Sequence, residues 1–189
     1  MRIGQAKGSV LFHLRGYVVE RHGENGWQEL LRRLPPEDVK ILTGILMVGA
    51  WYPVGIWNRS LDRYLTANYS DPMAAMMDLA RYIAREDLNL VYKMFLKVGT
   101  PGFIIGRSGS IWSRYYDTGR LQPTEIRPRQ WRIELDAPIH EDAAPSVYTC
   151  EGVSAWLSSA INLTGSKLTI LQTRCRFKGA PMCEYEASF

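Results

Sequence analysis

The sequence predicts an α+β fold: N-terminal helices followed by a mostly antiparallel sheet with a packed C-terminal helix. Three observations carry this. Apolar residues recur at helical spacing through the first half of the chain. Beyond Gly119 the texture turns to alternation, with Trp131, Ile133 and Leu135 on one side and Arg132, Glu134 and Asp136 on the other. The chain then closes with two alternating runs around Lys178-Gly179-Ala180-Pro181, the pattern of a hairpin. Helices first and strands last is the α+β order. The 189 residues are 46% hydrophobic and 22% charged, which suits one domain over 1–189 and excludes a disordered tail, a collagen-like rod or a coiled coil.

The elements come in this order. Ser9 is placed to cap a helix running to about Arg21, with Val10, Leu14, Tyr17 and Val18 on one face. Gly23 and Gly26 break it, and Trp27–Leu34 forms a second helix. Pro35-Pro36-Glu37-Asp38 opens a third, since proline suits a first turn and acids suit its dipole. Pro53–Ala67 is helical through Ile56, Leu61 and Leu65, and Asp71-Pro72 starts the next helix, with Met73, Met76, Met77, Ala80 and Ile83. Leu88–Val98 is another helix, stopped by Gly99-Thr100-Pro101, and Phe103–Tyr116 gives one or two short helices. Residues 121–137 form a half-buried strand and 138–146 a loop. Val147–Leu163 is the late helix, and Leu168–Phe177 and Cys183–Phe189 are the closing strands.

Charge and targeting signals exclude several classes. The net charge is +4, with its excess in an Arg-only band: Arg107, Arg114, Arg120, Arg127, Arg129 and Arg132 against Asp117 and Glu125. Arg without Lys suits carboxylate or phosphate recognition through its planar fork, while a solvated or salt-bridged face is the plainer reading, and the band is too sparse for a nucleic-acid footprint. The N-terminus lacks an apolar core and a cleavage site, so a cytoplasmic protein with reduced cysteines is expected. The uncharged stretch Ile41–Asn58 is broken by Gly44, Gly49, Pro53 and Gly55, and reads as buried core, not a membrane span. No nucleophile elbow or nucleotide loop is present, and Gly106-Arg-Ser-Gly109 is not a phosphate nest. His13 and His22 are nine apart, cannot form a metal pair on one helix face, and are expected at the surface or satisfied locally. No enzyme is expected.

The cysteines form a constellation. Cys183, Tyr185, Ala187 and Phe189 share the inward face of the last strand, and Cys175 shares a face with Leu171 and Phe177. Cys150 lies on the apolar stripe of the late helix with Val147, Ser154, Leu157 and Ile161. A hairpin packed under that helix brings the three thiols together. Three cysteines with a fourth ligand can hold zinc, and His140, Glu151 or a water are candidates. Buried free thiols packing as small hydrophobes are the plainer reading.

The ending Thr-Arg-Cys175-Arg-Phe-Lys-Gly179-Ala-Pro-Met-Cys183-Glu-Tyr-Glu, with Glu151-Gly152-Val-Ser-Ala-Trp156-Leu-Ser-Ser-Ala-Ile-Asn-Leu-Thr-Gly165 before it, resembles the C-terminal signature of 4-vinyl reductase-type domains. Lys7-Gly8-Ser9-Val10, Trp51-Tyr52-Pro53 and Tyr115-Tyr116-Asp117-Thr118-Gly119-Arg120-Leu121 resemble a narrower group of uncharacterised myxobacterial proteins of this length. The resemblance covers essentially the whole chain. It implies a fold shared with haem nitric oxide/oxygen sensors and with Golgi vesicle-tethering subunits, whose members bind small hydrophobic molecules or dimerise as scaffolds. It implies a structural zinc on Cys150, Cys175 and Cys183, although no acid stands in Ile170-Leu-Gln-Thr-Arg where relatives supply one. It does not extend to haem. The histidine of the haem sensors, about eleven residues before Thr100-Pro101, falls near Asn89, and the only histidines are His13, His22 and His140.

Aromatic residues cluster beside the passage from helices to sheet. Trp and Tyr give a pocket both apolar walls and polar handles, though at helical spacing they are ordinarily core. The expected function is a non-enzymatic sensor or binding module holding a hydrophobic or aromatic small molecule, with Trp112, Tyr116 and Trp156 as walls. A homodimer is expected, with a protein partner as a further candidate. The alternative is a homodimeric interaction scaffold without ligand.

Overall fold

The computed structural model describes residues 3–90, 100–137 and 146–189. In chain order these give β1 (Gln5–Lys7), α1 (Gly8–Leu31), α2 (Pro36–Thr43), β2 (Trp51–Pro53), α3 (Val54–Asn68), α4 (Pro72–Leu90), α5 (Pro101–Gly106) and α6 (Ser108–Tyr115). Then come β3 (Arg120–Arg127), β4 (Gln130–Asp136), α7 (Val147–Asn162), β5 (Thr169–Arg174) and β6 (Cys183–Ser188). The α+β order read from the sequence is the order observed. The expected helix over Leu88–Val98 lies largely outside the described residues, as do His140 and nearly all of the loop 138–146.

Helices α1, α3 and α4 pack around one apolar core that includes Leu14, Tyr17, Leu61, Tyr64, Leu65 and Leu79. Helix α1 starts one residue before Ser9, which is buried and does not cap it. It also continues past the expected break. Gly23 takes φ 67° and kinks the helix, which then resumes to Leu31. On the first turn of α2, Asp38 is buried and held by two Arg59 nitrogens, Nε at 2.7 Å and Nη2 at 2.6 Å.

The larger sheet has strand order β3-β4-β6-β5, antiparallel throughout. What read as one strand over 121–137 is a hairpin. Pro128 and Arg129 form its turn, and Arg129 takes the left-handed φ of 66°. Pro123 sits on the edge strand β3, where no ladder donor is needed. Two three-residue strands, β1 and β2, pair antiparallel and were too short to read as elements. Strand β1 also clips the end of α6: Gln5 N–H donates to Asp117 Oδ1 at 2.6 Å, and Asp117 N–H returns a bond to Gln5 O at 3.0 Å.

A second core lies between α7 and the sheet, around Ile133, Leu135, Leu157, Ile161, Cys183 and Tyr185. Helix α7 serves both cores: Ala155 belongs to the helical core, and Cys150, Leu157 and Ile161 to the sheet core. Its approach to α4 runs through small residues. A Cβ on Gly152 would lie 2.6 Å from Met76 Cε, and Ala84 meets Ala160.

Two expectations are corrected here. Ile41–Asn58 is not buried core throughout. Its Gly44-to-Ala50 segment is a loop, with Ile45 93% exposed and Met47 and Val48 also exposed, because the chain must turn from α2 back to β2. Leu171 does not share the inward face of Cys175 but is 65% exposed. The ladder skips Thr173, pairing Gln172 with Tyr185 and Arg174 with Glu184, and this bulge reverses the alternation between Leu171 and Cys175. Among the described residues, no helix is long and apolar enough to cross a membrane. The band Arg107, Arg114, Arg120, Arg127, Arg129 and Arg132 is exposed throughout.

Candidate functional site

A cavity of about 100 Å³ lies where α4, α6 and α7 meet the start of β3. Helix α6 supplies Ser108, Trp112 and Tyr115, Tyr116 stands at its end, and α7 supplies Gly152, Val153 and Trp156. Helix α4 supplies Met76, Ala80, Ile83 and Asp87, and α3 supplies Trp57. The three residues expected as pocket walls, Trp112, Tyr116 and Trp156, therefore stand around one cavity. Trp112 and Tyr116 stack with ring centres 4.4 Å apart, and Trp112 Nε1 donates to Thr118 O at 3.0 Å. Trp156 touches both cores.

The cavity is apolar except at a few atoms. Thr149 Oγ1 is satisfied by donating to Asn58 Oδ1 at 2.8 Å. Three of the lining residues also carry a buried polar atom that has no partner among the described residues: Trp57 Nε1, Asp87 Oδ2 and Ser108 Oγ. Buried polar groups are nearly always hydrogen-bonded, so three such atoms on residues lining one cavity single it out as the candidate site. Asp87 pairs with His13, whose Nε2 is 2.9 Å from Oδ1. His13 is thus satisfied from 74 residues away rather than locally. His22 approaches Tyr69, its Nε2 3.5 Å from the hydroxyl.

Asp87 and Ser108 were not singled out from the sequence as site residues. Asp87 did leave a signal. Met76, Ala80, Ile83 and Asp87 fall at helical spacing on one face, an apolar stripe ending in a carboxylate. Ser108 sits inside the glycine pair set aside as an anion loop.

The three cysteines are buried and free. Cys183 Sγ and Cys150 Sγ are 3.3 Å apart, and Arg176 N–H donates to Cys183 Sγ at 3.5 Å. Among the described residues, no group of three or more His, Cys, Asp or Glu is arranged to hold a metal ion, so the expected zinc on Cys150, Cys175 and Cys183 is corrected. Cys150 and Cys183 hydrogen-bond each other, and the strand before Cys175 brings no acid. Hydrogen bonding to Cys150, the Arg176 backbone N–H and the Arg176 charge together pull the Cys183 thiol down to about 6. Cys150 is pushed up by the same bond and by burial.

A thiol whose folded pKa lies below its unfolded value, about 8.5, adds stability that is complete above that value. The gain is lost as pH falls through about 6. Cys150 acts oppositely, losing stability above about 8.5 as the unfolded thiol ionises. The urea midpoint is therefore expected to climb from pH 6 toward pH 8.5, about the ordinary thiol value. Cys183→Ala should flatten that climb, and an equal climb in the variant would rule out the Cys183 thiolate.

No family model matches the chain, and no curated protein matches it. Solved structures do. An H-NOX protein from S. oneidensis in the Fe(II)NO ligation state superposes with a TM-score of 0.74 at 14% identity, covering 96% of this chain and 98% of that one. An Fe(II) unliganded H-NOX protein from K. algicida gives 0.73 at 9% identity, covering 96% and 95%. A structure described as probing heme distortion in the H-NOX family gives 0.69 at 8% identity, covering 97% and 94%. At these identities the likeness establishes the fold.

These comparisons overturn the expectation that haem is absent. The neighbours are described by their iron ligation or their heme. One of them, a histidine-to-glycine variant, is in the Fe(II)CO ligation state at a TM-score of 0.72, so counting histidines does not exclude haem from this fold. On this chain, Met76, Tyr115 and Tyr116 are lining side chains of types that ligate haem iron. Their chemistry fits the group. The volume of the cavity, about 100 Å³, does not, being too small for a porphyrin.

Proposed function

We propose that the chain is a non-catalytic small-molecule sensing module whose ligand lies in the cavity between the helices and the sheet. The observation that carries this is the set of three unpartnered buried polar atoms around one apolar cavity. The fold it shares with the H-NOX proteins supports the same reading. Trp112, Tyr116 and Trp156 are the walls, and α7 is the transmitting element. A ligand that binds one packing of α4 against α7 better than another shifts the balance between them, and the shift reaches the sheet because α7 also packs there. The ligand-free scaffold reading leaves the three orphaned atoms without a purpose. Kinship with 4-vinyl reductase-type domains belongs to this proposal and rests on the ending from Cys175 to Cys183.

Trp57, Trp112 and Trp156 line the cavity, so intrinsic fluorescence reports occupancy. A small apolar probe such as xenon or benzene is expected to quench it and raise the melting temperature, and hemin to do so only by enlarging the cavity. Trp112→Ala should weaken that response at least tenfold while circular dichroism stays unchanged. Should neither hemin nor the small probes change fluorescence or melting, the sensor reading is wrong.

A further inference from the structure

We propose that the cavity takes a small organic ammonium ion, held by Asp87 and the aromatic side chains around it. The proposal rests on the sensor reading of this cavity and adds the ligand's charge and size. Asp87 closes the α4 stripe with a side chain only 7% exposed. Its Oδ1 meets His13 Nε2 at 2.9 Å, while Oδ2 is buried and unpartnered. A carboxylate oxygen only accepts, so the missing group is a donor. A half-paired carboxylate in an apolar wall is costly, and a cation that also donates relieves both the charge and the lone pair.

The rest of the lining suits the same ion. Trp112, Tyr116 and Trp156 line the cavity, Trp112 and Tyr116 stacked on each other, and aromatic rings attract an ammonium most strongly when it is desolvated. Ser108 Oγ, buried and unpartnered, accepts a second N–H. Trp57 Nε1 is a donor, and admits a hydroxyl on the same ion. An apolar cavity of about 150 Å³ takes benzene. At about 100 Å³ this one takes an ion of roughly four to six non-hydrogen atoms. An anion meets Asp87 unfavourably, and a hydrocarbon leaves Oδ2 unpaired.

The test is calorimetric titration of the full chain in buffered salt with propylammonium chloride, 1-propanol and sodium propionate, with xenon binding as the check on the cavity itself. Propylammonium is expected to bind at least tenfold more tightly than 1-propanol, and propionate not at all. Asp87→Asn, which keeps an oxygen for His13, should bring the two affinities together. Equal binding of 1-propanol by the unaltered chain overturns the proposal and leaves the cavity reading intact, as does a preference that survives in Asp87→Asn. Xenon binding without propylammonium binding overturns it too, whether or not the variant folds. Binding of none of the four overturns both readings.

Discussion

Arg59→Ala is expected to lower the unfolding free energy by about 3–5 kcal/mol. The reason is the partner it leaves behind. Asp38 has a side chain 2% exposed, against 29% for Arg59, so the substitution strands a carboxylate that water cannot reach. In the native chain Arg59 meets both carboxylate oxygens, a fork that Lys cannot reproduce. Asp38 also joins the first turn of α2 to α3, so its desolvation is felt in the packing of both helices. Replacing both partners by apolar residues of similar size, Asp38→Leu with Arg59→Met, should recover most of the loss. Urea denaturation at neutral pH measures all three. A loss under about 1 kcal/mol in Arg59→Ala would mean that the pair is screened by solvent.

Tyr185→Ala is expected to remove about 3–5 kcal/mol. Tyr185 is fully buried on the central strand β6, between Ile133 of β4 and Gln172 of β5. Its hydroxyl donates to Cys150 O at 2.7 Å, tying the sheet to α7, and burial pushes its ionisation well above the ordinary phenol. Truncation leaves a cavity that two ladders and a helix keep from collapsing. Tyr185→Phe isolates the hydrogen bond and should cost about 1 kcal/mol. The two variants together separate volume from polarity. If the alanine variant lost no more than the phenylalanine one, the packing between α7 and the sheet would not be as described.

Periodicity made much of this fold legible. The stripe of Val10, Leu14, Tyr17 and Val18 is buried as its spacing requires, and Cys183, Tyr185 and Ala187 alternate inward. The stripe on α7 and the alternation of β6 anticipate the contact between Cys150 and Cys183, although the expected metal is not found. What could not be read were departures from a period. The bulge at Thr173 reverses the faces of β5, and no local residue type announces it. Gly23 read as a stop, yet a glycine can bend a helix whose next apolar residues, Trp27, Leu30 and Leu31, still find the same core. Ile45, Met47 and Val48 are apolar but lie on a loop, and composition alone does not fix burial.

The site was half legible for a related reason. Trp112, Tyr116 and Trp156 draw the eye because large aromatic residues are conspicuous, and all three line the cavity. Asp87 was not, because one acid at the end of an apolar stripe looks like the solvent end of a helix. Its meeting with His13 is set by how α1 and α4 cross, across 74 residues of sequence. An orphaned atom is a property of three-dimensional packing, and no spacing rule contains it.

Helix α7 lends one side to the helical core and another to the sheet. This makes its residue count inflexible. Each added residue turns the remainder of a helix by about 100°. A single insertion between Cys150 and Leu157 would carry Leu157 and Ile161 off the sheet on which Cys150 sits, and in the same stroke turn Ala160 away from Ala84. No rotation of the helix as a whole could repair both sides. Insertions are absorbed where one neighbour can yield, and along α7 there are two, on opposite flanks, each holding the other in phase.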